Sequence, residues 1–304
     1  MKNVLYFAVS SWLLITTISF SQANETDEII YTRAFADSDY GHYHVSVLQA
    51  ALNATSEFGT TSVVPHPHPM SQSRQLASLV KGDADVMWSV TNQTREQKLI
   101  PIKLPLLKGF SGHRVLVISP ERQSDFHPQL GVNKLKSMTL VQGVDWPDLD
   151  ILQYNGFTVS GEDWSLWFQS MYFMVEKNLV DGFPRNVIEV HRDLARHSDK
   201  AIALEKNHLL QYPSYEYFFV SPQNTALANR LRVGLIRLLE NGELSALFEA
   251  QEGHKKAASI VESPSRTTHA LKNPAIPYVL DYAQWDKYAS AAIKALRDEY
   301  KPEN

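Results

Sequence analysis

The chain has 304 residues, 44% of them hydrophobic and 20% charged, which is enough for two domains each with its own core. Its net charge is −4 and no basic block interleaved with aromatics occurs, which excludes nucleic acid as the main partner. It contains no cysteine, so disulfides, thiolate nucleophiles, zinc–thiolate sites and a lipid-anchoring cysteine are all excluded.

In chain order the first element is a leader. Lys2 gives a positive start, Val4 to Phe20 form an apolar stretch softened by Ser and Thr, and Ser21 and Ala23 offer small residues for cleavage. The stretch is short for a membrane span of about 20 residues. Residues 1–23 are therefore expected to be an export signal, with a soluble, monomeric periplasmic chain beginning near Asn24. "IIYTRAF" (Ile29 to Phe35) reads as a strand, followed by a polar turn in which Asp37 and Asp39 cap a helix with Val45, Leu48 and Leu52 on one face. "TTSVVPHP" is a strand. "SQSRQLASLVKG" is a helix with Ser71 or Ser73 as N-cap and Gly82 as its stop, and "ADVMWSV" is a strand. Such alternation implies an α/β domain with a parallel sheet.

After the glycine-containing break "LKGFSGH" a second unit alternates in the same way. Its strands are "RVLVIS", "SMTLVQG", "FTVSG" and "LVDGFPR", with helices between them. Trp164, Trp167, Phe168 and Phe173 fall on one of those helices and are expected in its core. "YEYFFVSP" is a further strand. The helix after it carries Leu227, Leu231, Leu235 and Leu238 at helical spacing and breaks at Gly242. A Ser/Thr-rich linker, the Pro-bearing "LKNPAIPYVL" and an amphipathic "KYASAAIKALRDEY" complete the chain.

The stretch "GDADVMWSVTNQTREQKLIPIKLPLL" resembles the type II periplasmic solute-binding proteins, in particular the amino-acid-binding (family 3) group. Gly82 and Asp85 stand in a "G-x-x-D" that leads a strand, Arg95 in a "T-x-x-R" turn, and Pro105 in the segment beyond. "LVDGFPR" and "YEYFFVSPQNTALANRLRVGLIRLLENGELSALFEA" match the later strands and helices of that group in order and spacing. The resemblance covers Ile29 to Ala250 and implies an α/β, two-lobed fold with a hinge and an interlobe cleft. Lobe 1 would comprise residues 24–110 and 216–250, lobe 2 residues 111–215, and an extension, 251–304, would pack on lobe 1. Hinge motion would centre on Lys108 to Arg114 and Tyr212 to Tyr217.

The resemblance also assigns roles. Arg95 would reach into the cleft and grip a ligand carboxylate, for which the planar guanidinium fork is suited. Thr91 and Thr94 would supply hydroxyls, and, from the residues themselves, the aromatics Trp88 and Tyr40 near the predicted cleft loops would cover the ligand. Gly143, Arg185 and Asn186 would contribute from lobe 2. Two departures bear on the ligand: Asn186 stands where amino-acid binders place an ammonium-accepting aspartate, and Val144 stands where a turn hydroxyl belongs. The expected ligand is a small carboxylate-bearing molecule, amino-acid-like or another anion. It would be passed to an inner-membrane permease or sensed by a kinase or cyclase, with no cofactor.

Two other readings stay open from the residues. His42/His44 and His66/His68 form His-x-His pairs that suit zinc, copper or nickel if extended, or are solvated loop histidines. An enzyme on the same fold, dehydratase-like, would use a cleft carboxylate, although no nucleophile elbow, P-loop or H-E-x-x-H motif occurs.

Overall fold

The structure, a computed structural model, describes residues 27–35, 40–163, 167–278, 293–294 and 296–298. The expected leader, Asp37, Asp39, Trp164 and the side chains of Trp167 and Phe168 lie outside the described residues. In chain order the strands are β1 (Asp27–Tyr31), β2 (Thr61–Pro65), β3 (Val86–Val90), β4 (Ile100–Ile102), β5 (His113–Ile118), β6 (Thr139–Gly143), β7 (Thr158–Glu162), β8 (Phe183–Asn186), β9 (Ala203–Leu204), β10 (His208–Gln211), β11 (Glu216–Val220) and β12 (Thr267–Ala270). The helices are α1 (His42–Asn53), α2 (Gln72–Lys81), α3 (Gln93–Lys98), α4 (Val132–Lys136), α5 (Pro147–Tyr154), α6 (Trp167–Glu176), α7 (Val190–Arg196), α8 (Thr225–Glu240), α9 (Glu243–Glu249) and α10 (Glu252–Val261).

Lobe 1 is built on a five-stranded sheet in the order β2-β1-β3-β11-β4. β1 runs parallel to β2 and β3, as the alternation predicts, whereas β11 pairs antiparallel with both β3 and β4. The parallel expectation fails for β11 because the chain comes back to this sheet from lobe 2 rather than over a helix. Helices cover both faces, so strand residues alternate between two cores. Phe218 and Val220 pack with Val86, Leu48 and Leu231, while Tyr217 and Phe219 pack with Met87 and Leu79.

Lobe 2 repeats the plan with a mixed sheet, β12-β10-β5-β8, with β9 also paired to β5 and the parallel pair β6–β7 alongside. Val115 and Val117 face one core, with Val141 and Phe183, and Leu116 and Ile118 face the other, with Leu140 and Phe126. Phe173, expected in the core, is exposed, because Met171, Tyr172 and Val175 take the inward face of α6. Asp85, of the "G-x-x-D" stretch, and Asp181, of "LVDGFPR", do the same job in the two lobes. Asp85 accepts a hydrogen bond from the Ile30 N–H (2.9 Å) and Asp181 from the Thr139 N–H (2.6 Å), each tying down a neighbouring strand.

The crossovers lie side by side. Tyr212 N–H donates to the Gly112 carbonyl (3.0 Å) and the Ser111 hydroxyl to the Ser214 carbonyl (2.7 Å). A Cβ on Gly112 would stand 2.1 Å from the Tyr212 oxygen, so only glycine permits this approach. The extension beyond residue 250, expected on lobe 1, is instead shared. Ala257 and Ile260 of α10 pack in lobe 2, and β12 adds as a parallel strand to β10, satisfying an edge otherwise open. The chain then returns to lobe 1, where Ile276 is buried, Tyr278 donates to Glu96 (2.7 Å) and Leu296 is enclosed.

Candidate functional site

Where the two lobes face each other they enclose a cavity of about 350 Å³. Lobe 1 contributes the loop after β1, the start of α1, the start of α2 and the end of β3. Lobe 2 contributes Arg114, Gln142, Trp146 and Asp148, together with Pro184 to Asn186 and the segment leading into α7. Loops at the carboxyl ends of strands converge here, the usual ligand position in open α/β sheets. The volume falls in the lower range of small-molecule sites. The lobes also touch around the cavity: Ser73 N–H donates to Asp145 Oδ2 (3.1 Å) and the Tyr40 hydroxyl to Asp193 Oδ1 (2.9 Å).

Of the residues singled out from the sequence, Tyr40, Trp88, Arg185 and Asn186 line the cavity; Arg95, Thr91, Thr94 and Gly143 do not. Trp88 forms a wall, its ring stacked on His44 at 5.1 Å between centroids and 6° between planes. Tyr40 is covered by the Arg192 guanidinium, 3.8 Å above its ring. Arg185 is turned into lobe 2, where its Nε and Nη2 meet Asp193 Oδ2 at 2.8 and 2.6 Å and Nη2 meets Glu189 at 2.9 Å. Asn186 is committed at both ends, donating to the Phe110 carbonyl (3.0 Å) and accepting from Ile188 N–H (2.8 Å). Neither replaces the aspartate that an amino-acid binder would present.

Arg95 sits just behind the wall. Its backbone N–H is capped by Asn92 (2.9 Å), and its guanidinium donates to the Val90 carbonyl and to Gln72 Oε1 (2.7 Å), a side chain that does line the cavity. Arg95 is 5% exposed and forms no ion pair among the described residues. Burial pulls its pKa down to about 10, against the more distant pull of Asp145, Asp148 and Glu216. Thr91 spends its hydroxyl on Glu96 (2.6 Å), Thr94 is exposed on α3, and Gly143 is buried beneath the Trp146 ring.

Other groups in the site carry no sequence signal. Arg114 is buried against Asp148 (2.7 Å), which also accepts from the Tyr212 hydroxyl; a lone Arg, Asp and Tyr far apart in the chain announce nothing. His44, near the start of α1, contacts the Glu216 carboxylate, and His254 enters from α10. His42 is exposed, and His66 and His68 share a surface loop with ring centroids 6.0 Å apart. Among the described residues no group of three or more His, Cys, Asp or Glu is placed to hold a metal ion.

No protein-family model and no curated protein matches the chain. Solved structures match it in shape. An ancestral arginine-binding protein bound to arginine superposes with a TM-score of 0.57 at 13% identity, over 75% of this chain and 98% of that one. A periplasmic binding protein of Salmonella typhimurium with high arginine specificity gives 0.55 at 16% identity, over 74% and 99%. The GluR0 ligand-binding core from Nostoc punctiforme in complex with L-glutamate gives 0.52 at 13%, over 74% and 99%. The chain has the two-lobed, type II periplasmic-binding-protein fold. In that fold the cavity described above is the interlobe cleft, and α10 and β12 belong to the part of the chain past Ala250, where the sequence resemblance stops. Among the described residues no helix is long and apolar enough to cross a membrane.

Proposed function

We propose that this chain is a periplasmic solute-binding protein whose lobes close on a small carboxylate-bearing molecule. The bound molecule would pass to an inner-membrane permease or engage a membrane sensor. The observation that carries the reading is the state of three buried arginines at and just behind the cleft. Arg114 and Arg185 have carboxylates of their own, Asp148 and Asp193, at 2.7 and 2.6 Å. Arg95 is equally buried and has none among the described residues. A buried cation without a counter-ion is costly. An anion one side chain away, with Gln72 swung aside, would remove that cost, and a carboxylate fits the guanidinium fork.

The test is to purify the protein under native conditions and identify by mass spectrometry the small molecules it retains. Binding of the recovered compound is then titrated against Arg95 variants. Arg95→Met, matched in bulk, is expected to lose about 2–5 kcal/mol of binding, roughly thirtyfold to several-thousandfold in affinity. Arg95→Lys should regain only part, because an ammonium lacks the two parallel donors. Ligand-free melting temperatures serve as the control. Parental affinity in Arg95→Met would refute the reading.

A further inference from the structure

The cleft has a contributor outside the two-lobed core. Gln251, Gly253 and His254, at the start of α10, line the cavity. His254 is 5% exposed. Its ring is held by Phe248 (centroids 4.1 Å apart) and by the edge of Tyr43 (4.7 Å). Nδ1 lies 2.9 Å from the Phe248 carbonyl, a pure acceptor, so Nδ1 carries the proton. Nε2 is then a bare lone pair, and it has no hydrogen-bond partner among the described residues. Burial, above all, brings the imidazole down to about 4, so the ring stays neutral and Nε2 stays an acceptor at neutral pH.

Its surroundings indicate what it would meet. Tyr43 also touches the ring of His44 (5.3 Å), and His44 contacts the Glu216 carboxylate, which lines the same cavity. This end of the cleft therefore offers acceptors, an imidazole lone pair and a carboxylate. We infer that α10 supplies a ligand contact, His254 Nε2 accepting a hydrogen bond from a nitrogen-bearing, cationic end of the solute beside Glu216. The inference rests on the solute-binding reading and narrows it, since the solute then carries an ammonium or guanidinium as well as a carboxylate. It also gives the C-terminal segment a part in recognition.

The test uses L-arginine, L-lysine, agmatine and succinate as probes, titrated calorimetrically at neutral pH into the parent, His254→Phe and His254→Gln. The parent is expected to bind at least one nitrogen-bearing probe and to bind succinate more weakly. His254→Phe should weaken that binding about tenfold or more, with a ligand-free melting temperature lowered only by loss of the Nδ1 bond to the Phe248 carbonyl. His254→Gln, which keeps an acceptor, should recover part of it. In histidine-15N-labelled parent, the His254 Nε2 resonance should move on saturation, a readout that needs no variant to fold. Parental affinity in His254→Phe, or an unmoved Nε2 resonance, overturns the α10 contact and leaves solute binding intact. A parent that prefers succinate overturns the cationic end while keeping the carboxylate reading. A parent that binds no probe and retains no carboxylate compound overturns both.

Discussion

Asp193 shows how a charge survives complete enclosure. Burial works to raise its carboxyl, but Arg185, Arg192 and the Tyr172 hydroxyl outweigh it and hold it below the ordinary aspartate value. Tyr172 donates from within lobe 2 at 2.8 Å and Tyr40 from lobe 1 at 2.9 Å, so one carboxylate serves both the fold and lobe contact. Asp193→Asn leaves the buried Arg185 guanidinium without its main partner and is expected to cost about 3–5 kcal/mol of stability, read from denaturant unfolding. Tyr40→Phe removes only the bond between lobes and should cost about 1 kcal/mol. Equal losses in the two variants would mean that the interlobe bond, not the ion pair, dominates. No sequence pattern marks Asp193, since an acid within "VIEVHRDLARH" reads as a solvated helix face. Arg95 was singled out because its spacing from Gly82 and Asp85 is local, whereas its placement behind Gln72, outside the cavity lining, has no local signal.

At the scale of elements, the crossing of α1 and α8 is made possible by Gly234. A Cβ there would stand 2.2 Å from the Ala51 carbonyl oxygen, with backbone that cannot swing away. In an exposed helix a glycine-to-alanine change stabilises by up to about 1 kcal/mol. Here Gly234→Ala should instead destabilise by about 1–3 kcal/mol through overpacking, measured by urea unfolding at constant m-value. A stabilised variant would show that the helices separate at little cost. The heptad-like leucines of α8 announce the helix and its buried face from sequence alone. They say nothing of which helix it meets, and so the glycine in "RVGLIRLLE" reads as a weakness until α1 is placed against it.

For the whole molecule, the buried His254 and the half-buried His113 are among the histidines that set a pH dependence. Burial, before any other cause, lowers both His113 and His254 to about 4. Their contribution is fully present above the unfolded histidine pKa near 6.5 and is lost as pH falls toward 4, because only the unfolded chain takes up the protons. Each amounts to roughly 3 kcal/mol at most. Glu205, whose carboxyl burial raises, acts in the opposite sense and returns part of the loss in acid. The melting temperature should be level from pH 8 to about 6.5 and fall below it, less steeply in His113→Gln. A profile that stays flat to pH 5 in the parent would show that neither histidine is shielded in solution.

What the amino-acid sequence determined alone is what rests on neighbours in the chain. Alternating apolar strands and helices, the stops at Gly82 and Gly242, Asp85 ahead of its strand and the order of two α/β units all depend on local periodicity and turn chemistry, and it was their resemblance to the family 3 solute-binding proteins that implied the two-lobed fold. What only the tertiary structure decided depends on residues far apart. The antiparallel direction of β11, the placing of β12 on lobe 2, the partners of Arg114 and Arg185, and the arrival of His254 in the cleft are all of this kind. The physical reason is that burial and pairing are properties of the assembled interior. A guanidinium or imidazole carries the same chemistry everywhere in a sequence, and whether a carboxylate, a carbonyl or a ligand cavity stands beside it is set by the packing of whole lobes.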